Sequence, residues 1–182
     1  MHALARIAAV GSLACLCGCA SAHTVSLLHS AGAPITMTPS EAIPLEVVTR
    51  ATGVTDPLYV KGTDVSYADV ETTIGTAISS AAVPWAETHR DKTPEGWQLL
   101  VEVIESAATY TDGRLGVTLG VRLTLRTRTD HRYLAQSQAS CRNAALVAPD
   151  HGAEVLFGCM ARMGRDVASW LAMVDKPPVG MK

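Results

Sequence analysis

Between Leu115 and Leu125 the chain places an aliphatic side chain at every second position. Leu115, Val117, Leu119, Val121, Leu123 and Leu125 alternate with Gly116, Thr118, Gly120, Arg122 and Thr124. Successive side chains of a strand point to opposite faces, so this run is a long strand with one dry face and one wet face. Such a strand needs hydrogen-bonded neighbours and a layer covering its apolar side. The neighbours are legible on either side. Trp97, Leu99, Val101 and Val103 alternate with Gln98, Leu100, Glu102 and Ile104, and Asp112-Gly113 supplies a hairpin turn between the two runs. Thr129-Asp130-His131 turns the chain into a third run, Tyr133 to Cys141, with Tyr133, Ala135 and Ala139 on one side and Gln136 and Gln138 on the other. Together they read as an antiparallel meander with one face in water.

Two segments have helical period instead. Tyr67, Val70, Ile74, Ala77, Ile78 and Ala81 recur at three- and four-residue spacing, with Ser66 and Asp69 resembling a capping box and Pro84 as the stop. The polar stretch Glu87 to Lys92 then reads as a surface loop. Near the C-terminus, Asn143 to His151 reads as a loop and a helix follows to about Asp175. Its stripe is Leu156, Cys159, Met163, Val167, Trp170, Leu171 and Val174, with Arg162, Arg165 and Asp166 outward. Leu45 to Val48 and Leu58 to Val60 are short β-prone pieces, one of which supplies an extra strand. The expected fold is therefore α+β, a two-layer sandwich in which an antiparallel sheet of three to four strands carries two helices on one face.

The N-terminus has a different logic. Arg6 is followed by an apolar run, Ile7 to Leu16, of the length of a signal-peptide core and too short to span a bilayer. Leu16-Cys17-Gly18-Cys19 resembles a lipobox, in which Cys19 is lipidated and becomes the mature N-terminus; Cys15 fits the pattern less well. The expected organisation is a signal peptide at 1–18, a lipidated N-terminus and flexible tether at 19–44, one periplasmic domain at 45–176 and a tail at 177–182. The tether assignment rests on the Ala, Ser, Thr, Pro and Gly content of that stretch. Of five cysteines, processing leaves Cys19, Cys141 and Cys159. With Cys19 acylated, Cys141 and Cys159 are an even pair open either to a disulfide in an oxidising compartment or to burial as free thiols.

Signs of catalysis or of bound cofactors are sparse. Hydrophobic residues are 48% and charged residues 18% of the chain, and the formal charge of -2 becomes about -3 once Arg6 leaves, which gives no general drive towards nucleic acid or anionic membrane. The six histidines, His2, His23, His29, His89, His131 and His151, form no metal-binding spacing, and no phosphate-loop, dinucleotide or nucleophile-elbow motif occurs. Glu102 and Glu105 raise a glycosidase reading, but three residues apart on an unbulged strand they face opposite sides and read as solvated sheet carboxylates. Cys159, Met160 and Met163 have the soft donors Cu(I) takes, but Cys159 and Met163 sit on the buried stripe of the helix and read as core. We therefore expect no enzyme activity, no catalytic residues, no metal and no cofactor. The most distinctive polar feature is the row Arg114, Arg122, Arg126 and Arg128 on the wet face. It is either a solvated face paired with Glu102 or a surface for phosphate or carboxylate groups of lipid, glycan or protein.

Taken together, Leu16 to Cys19, the Tyr67 to Ala82 helix, the alternating run Leu115 to Leu125 and the terminal helix ending at Trp170-Leu171 resemble the auxiliary lipoproteins of ABC-type transport systems that move lipids or solvents across the bacterial envelope. The layout is also similar to that of the lipoprotein partner of the lipopolysaccharide translocon. The resemblance implies a non-catalytic adaptor, held in the membrane by its lipid and facing the periplasm, with an envelope protein partner and a lipid as its possible ligand. Ala20 after the lipid-bearing cysteine is not the Asp that retains such proteins in the inner membrane, which implies the outer membrane. An assembly or regulatory lipoprotein of a cell-wall enzyme or secretion machine is the alternative, and an envelope glycan hydrolase a third.

Overall fold

A computed structural model of the chain describes residues 23–30, 45–52, 56–92 and 96–174. In chain order the elements are β1 (His23–Ser26), α1 (Leu27–Ser30), β2 (Leu45–Ala51), β3 (Leu58–Lys61), β4 (Val65–Ala68), α2 (Val70–Thr88), β5 (Trp97–Thr111), β6 (Arg114–Thr127), β7 (Tyr133–Leu146) and α3 (Ala153–Val174). The class is α+β, but among the described residues the sheet has seven strands and is mixed, not three or four antiparallel ones. The meander β5-β6-β7 is antiparallel. β6 takes one edge of β5, and β2 and β3 share the other edge in succession, both parallel to it. β4 then pairs antiparallel with β3, and β1 parallel with β4.

The larger strand count has a simple cause. β5 is 15 residues long, so both early β-prone pieces find room along it, where the sequence suggested only one. β1 and β4 have four residues each, too few for a period of two to register. β1 also lies inside the stretch assigned to a tether, and Leu27 immediately after it is fully buried. That part of the segment belongs to the folded body.

Burial accounts for the other departures. Tyr67 sits in β4, not in the helix, and its side chain is fully buried. Ser66 does not cap α2; its hydroxyl lies 3.1 Å from that of Thr24 on β1. Asp69 instead adopts a left-handed conformation (φ 67°) at the helix start and accepts a 2.7 Å bond from Ser26 Oγ. Pro84 does not stop the helix, which continues to Thr88. Proline removes one backbone hydrogen bond from the turn, while Trp85 and Ala86 beyond it are buried and the Trp85 ring stacks on His89 at 4.6 Å. The expected loop at 87–92 is thus the helix end and a 3-10 turn, with His89 buried. β7 likewise runs to Leu146, past the loop expected from Asn143.

Both long helices lie on one face of the sheet. α2 approaches β2 so closely that any side chain at Gly75 would strike Thr49, and α3 crosses β6 and β7. The helices meet where Gly164 faces Ala77 and Ala81. Between the layers lie Leu99, Val101 and Val103 of β5, the six aliphatics of β6, Ile74 and Ile78 of α2, and Leu156, Met160, Met163, Val167 and Leu171 of α3. Cys141 on β7 and Cys159 on α3 are joined there by a disulfide, with Cα atoms 5.4 Å apart.

At one end of this core, Tyr67 donates its hydroxyl hydrogen to the Pro149 carbonyl. Burial pushes the phenol up to about 12, helped by the Asp150 carboxylate and opposed by a backbone hydrogen bond from Gly152. An unfolded tyrosine ionises near 10, so the stability this group contributes is whole below pH 10. It is lost as pH rises from 10 through 12, where the unfolded chain releases a proton the folded one keeps. Tyr67→Phe is therefore expected to make the fall of the urea midpoint between pH 10 and 12 shallower. An unchanged slope would contradict this placement.

Candidate functional site: the uncovered face of the sheet

Opposite the helices, the face of β5, β6 and β7 carries no covering layer among the described residues. Arg114, Gly116, Thr118, Gly120, Arg122, Thr124 and Arg126 of β6 point to it, as do Gln136, Gln138, Ser140, Arg142 and Ala144 of β7 across from them. The arginines of the row share this face, and their surroundings differ along its length.

Near the start of β5 the face is tied together across strands. Glu46 on β2 lies 2.8 Å from the Gln98 amide nitrogen, and Arg126 Nε donates to Gln98 Oε1 at 2.6 Å. Arg128 Nε stands 3.6 Å from the same Glu46 carboxylate, and Gln98 beneath them is buried. In the middle, Arg122 is 3.6 Å from Glu102. Exposed ion pairs of this kind contribute about 0 to 1 kcal/mol each, so they position the guanidinium groups more than they stabilise the fold. At the far end, beside the Asp112-Gly113 turn, the arrangement opens. Arg114 and Arg142 have no ion pair or hydrogen-bond partner among the described residues. They flank a shallow depression of about 490 Å³ floored by small side chains that include Ala107, Thr109, Gly116, Thr118 and Ala144.

Two register shifts shape this face in ways the sequence did not reveal. One lies between Val103 and Glu105. Beyond it the alternation inverts, so Glu105, opposite Gly120, joins Glu102 on the open face, where the unbulged spacing put them on opposite sides. Neither carboxylate lines the depression. The other shift, between Leu125 and Arg126, sets Tyr133 opposite Arg126 on the open side, apart from Ala135 and Ala139. Gln98, Glu46 and Arg142 escaped the sequence reading. For Gln98 a signal existed, since counting back from the Asp112-Gly113 hairpin places it near Arg126. Arg142 lay one residue past the expected end of its strand.

The remaining candidates fall inside the protein or outside the described residues. Cys159, Met160 and Met163 are all buried, with the Cys159 sulfur joined to Cys141. No group of three His, Cys, Asp or Glu side chains arranged to hold a metal occurs among the described residues. Likewise, no helix among them is long and apolar enough to cross a membrane. Cys19, the leader and the tail from 177 lie outside the described residues.

The chain matches no family model and no curated protein. Among solved structures, it is similar to a Xanthomonas campestris protein of the family DUF330, with 11% identity, a TM-score of 0.54, and coverage of 71% of this chain and 83% of that one. A protein from Caulobacter crescentus provisionally described as a lipoprotein aligns at 15% identity and TM-score 0.43, over 74% of this chain and 93% of that one. A lipoprotein from Neisseria meningitidis aligns at 16% and 0.28, over 48% and 56%. At these identities the likeness is one of fold, and the Xanthomonas comparison defines it: an α+β domain with the architecture of the DUF330 protein.

Proposed function

We propose that this is an accessory lipoprotein of the bacterial envelope: acylated at Cys19, resident in the outer membrane, facing the periplasm, and acting without chemistry as an adaptor of a system that transports lipid or solvent. The observation that carries the adaptor reading is the uncovered face, where three strands of 14 or 15 residues present fixed arginines, glutamines and hydroxyls in a broad plane. Guanidinium groups held by neighbouring strands suit carboxylate or phosphate groups of a partner protein or a lipid, and no nucleic acid enters this account. The resemblance of Leu16-Cys17-Gly18-Cys19 to a lipobox supports the envelope location. The stapling of β7 to α3 by a disulfide is consistent with folding outside the cytosol.

An assembly or regulatory role at a cell-wall enzyme or secretion machine would use the same face and differs only in the partner. A photo-crosslinking side chain at Gln138, on the open face, is expected to capture a membrane-associated transporter component. The same group at Asp166, exposed on α3, should give at least about tenfold less product, since a face-specific contact worth 1.4 kcal/mol already separates them by that factor. Capture of cell-wall synthases instead would favour the alternative role, and equal yields from both positions would remove the open face from the reading.

A further inference from the structure

We infer that Arg114 and Arg142 form a cradle for lipid-headgroup phosphate, by which the domain rests one end of its sheet against the bilayer that holds its anchor. This deepens the proposed function and rests on acylation of Cys19. The first observation is the contrast among the arginines of the open face. Arg122, Arg126 and Arg128 each have a partner on a neighbouring strand, whereas Arg114 and Arg142 have none among the described residues. No carboxylate lines the depression between them, and the Thr109 and Thr118 hydroxyls do. Two forked cationic donors, with Thr118 directly opposite Arg142 and Thr109 opposite Gly116 over a floor of small residues, match a phosphate's charge and acceptor oxygens.

The second observation is where the chain enters the fold. His23 lies beside Val65, and the tight β3–β4 turn returns Val65 against Val60. From there the register runs from Val60 to Ala108, to Val117 and to Asn143. His23 thus stands in the same cross-strand row as two residues that line the depression. β1 runs away from the hairpin end of the sheet, so its first residue, His23, is the one nearest that end. Cys19 is four residues from His23, a span of at most about 14 Å. Four strand spacings, about 19 Å, separate β1 from β6. The acyl chain and the cradle therefore meet the same membrane surface, with Leu146, 77% exposed opposite Arg114, at the rim.

The acidic groups at this end include Asp64 and Asp112 in turns, Asp150 in a 3-10 turn at 3.4 Å from His151, and Glu154 in the first turn of α3. They offset any broad positive field, so the contact is local to the two arginines. Chemically the phosphate is that of a bilayer lipid, not a soluble phosphate.

The test uses the processed, acylated chain in phosphatidylethanolamine–phosphatidylglycerol vesicles, with a nitroxide at Thr111→Cys beside the cradle or at Thr129→Cys in the opposite turn. Collision with a water-soluble nickel chelate is measured for each. The label at 111 should be shielded and that at 129 open. Arg114→Gln with Arg142→Gln should weaken the oriented state about 25-fold, or fivefold per arginine near an anionic surface, and restore access at 111. Equal access at both labels in an acylated chain overturns this inference and leaves the anchor intact. Release of the 111 label by millimolar inorganic phosphate would assign the cradle to a soluble ion and also overturn it. An unmodified Cys19 in the same sample, read by mass, overturns the anchored reading and the inference with it.

Discussion

Replacing Leu123 by alanine is expected to lower the free energy of unfolding by about 3 kcal/mol, whereas Thr124→Ala, one residue along, should change it by no more than about 0.5 kcal/mol. Leu123 is 1% exposed and lies between Val101 and Ser137 on the helix-covered side. Removing its isobutyl group withdraws apolar contact and leaves a cavity between β6 and the helices. Thr124 stands on the open face opposite Leu100 and Gln136, where water replaces what is removed. A change of 3 kcal/mol is a large part of the roughly 5 to 15 kcal/mol that holds a domain together. Urea denaturation of the two variants measures the difference directly. Similar losses at both positions would mean that the open face is covered as the other is, and the adaptor surface would disappear with it.

Removing the Cys141–Cys159 link should cost a comparable amount. The bridge spans a sequence separation of 18, and in the chain-entropy model a loop of that size restricts the unfolded chain by about 3 kcal/mol. Its position adds a structural consequence. Among the described residues β7 is the last strand of the sheet and pairs with β6 on one side, so its attachment relies on β6, on α3 packing and on this bond. Replacing both cysteines by serine should lower the urea midpoint and raise amide exchange along Tyr133–Leu146 more than along β5. A variant with unchanged stability in oxidising buffer would show that the covalent link contributes nothing the packing does not.

The sequence made the meander legible because three successive strands are each long enough for a period of two to repeat several times, and because Asp112 and Gly113, both with positive φ, spell the hairpin between two of them. α3 was equally plain, its stripe repeating over 22 residues. What stayed hidden was short or non-local. β1 and β4 are four-residue strands, and β1 depends on a parallel pairing with β4 across some forty residues, which no local pattern encodes. Ser66 and Asp69 have the side chains of a helix cap, but Thr24 and Ser26 compete for them from β1 and win. Pro84 is a helix breaker by its own chemistry and is overridden by burial of the two residues after it.

The site followed the same division. That the arginines share a face follows from even spacing along one strand. Which of them are engaged does not, because partners such as Glu46 and Gln98 come from strands whose register the sequence leaves free. The bulge at Ile104, which brings Glu105 to the face of Glu102, has no signal in the residues around it.

Fractionation of a Cys19→Ser variant beside the wild type measures most directly whether an acyl chain holds this domain at a bilayer. The wild type should sediment with outer membranes, resist extraction by salt and begin at a modified Cys19. The variant should lose that attachment and retain its leader. A wild-type chain recovered in the soluble fraction with an unmodified N-terminus would contradict the anchor on which the adaptor role depends.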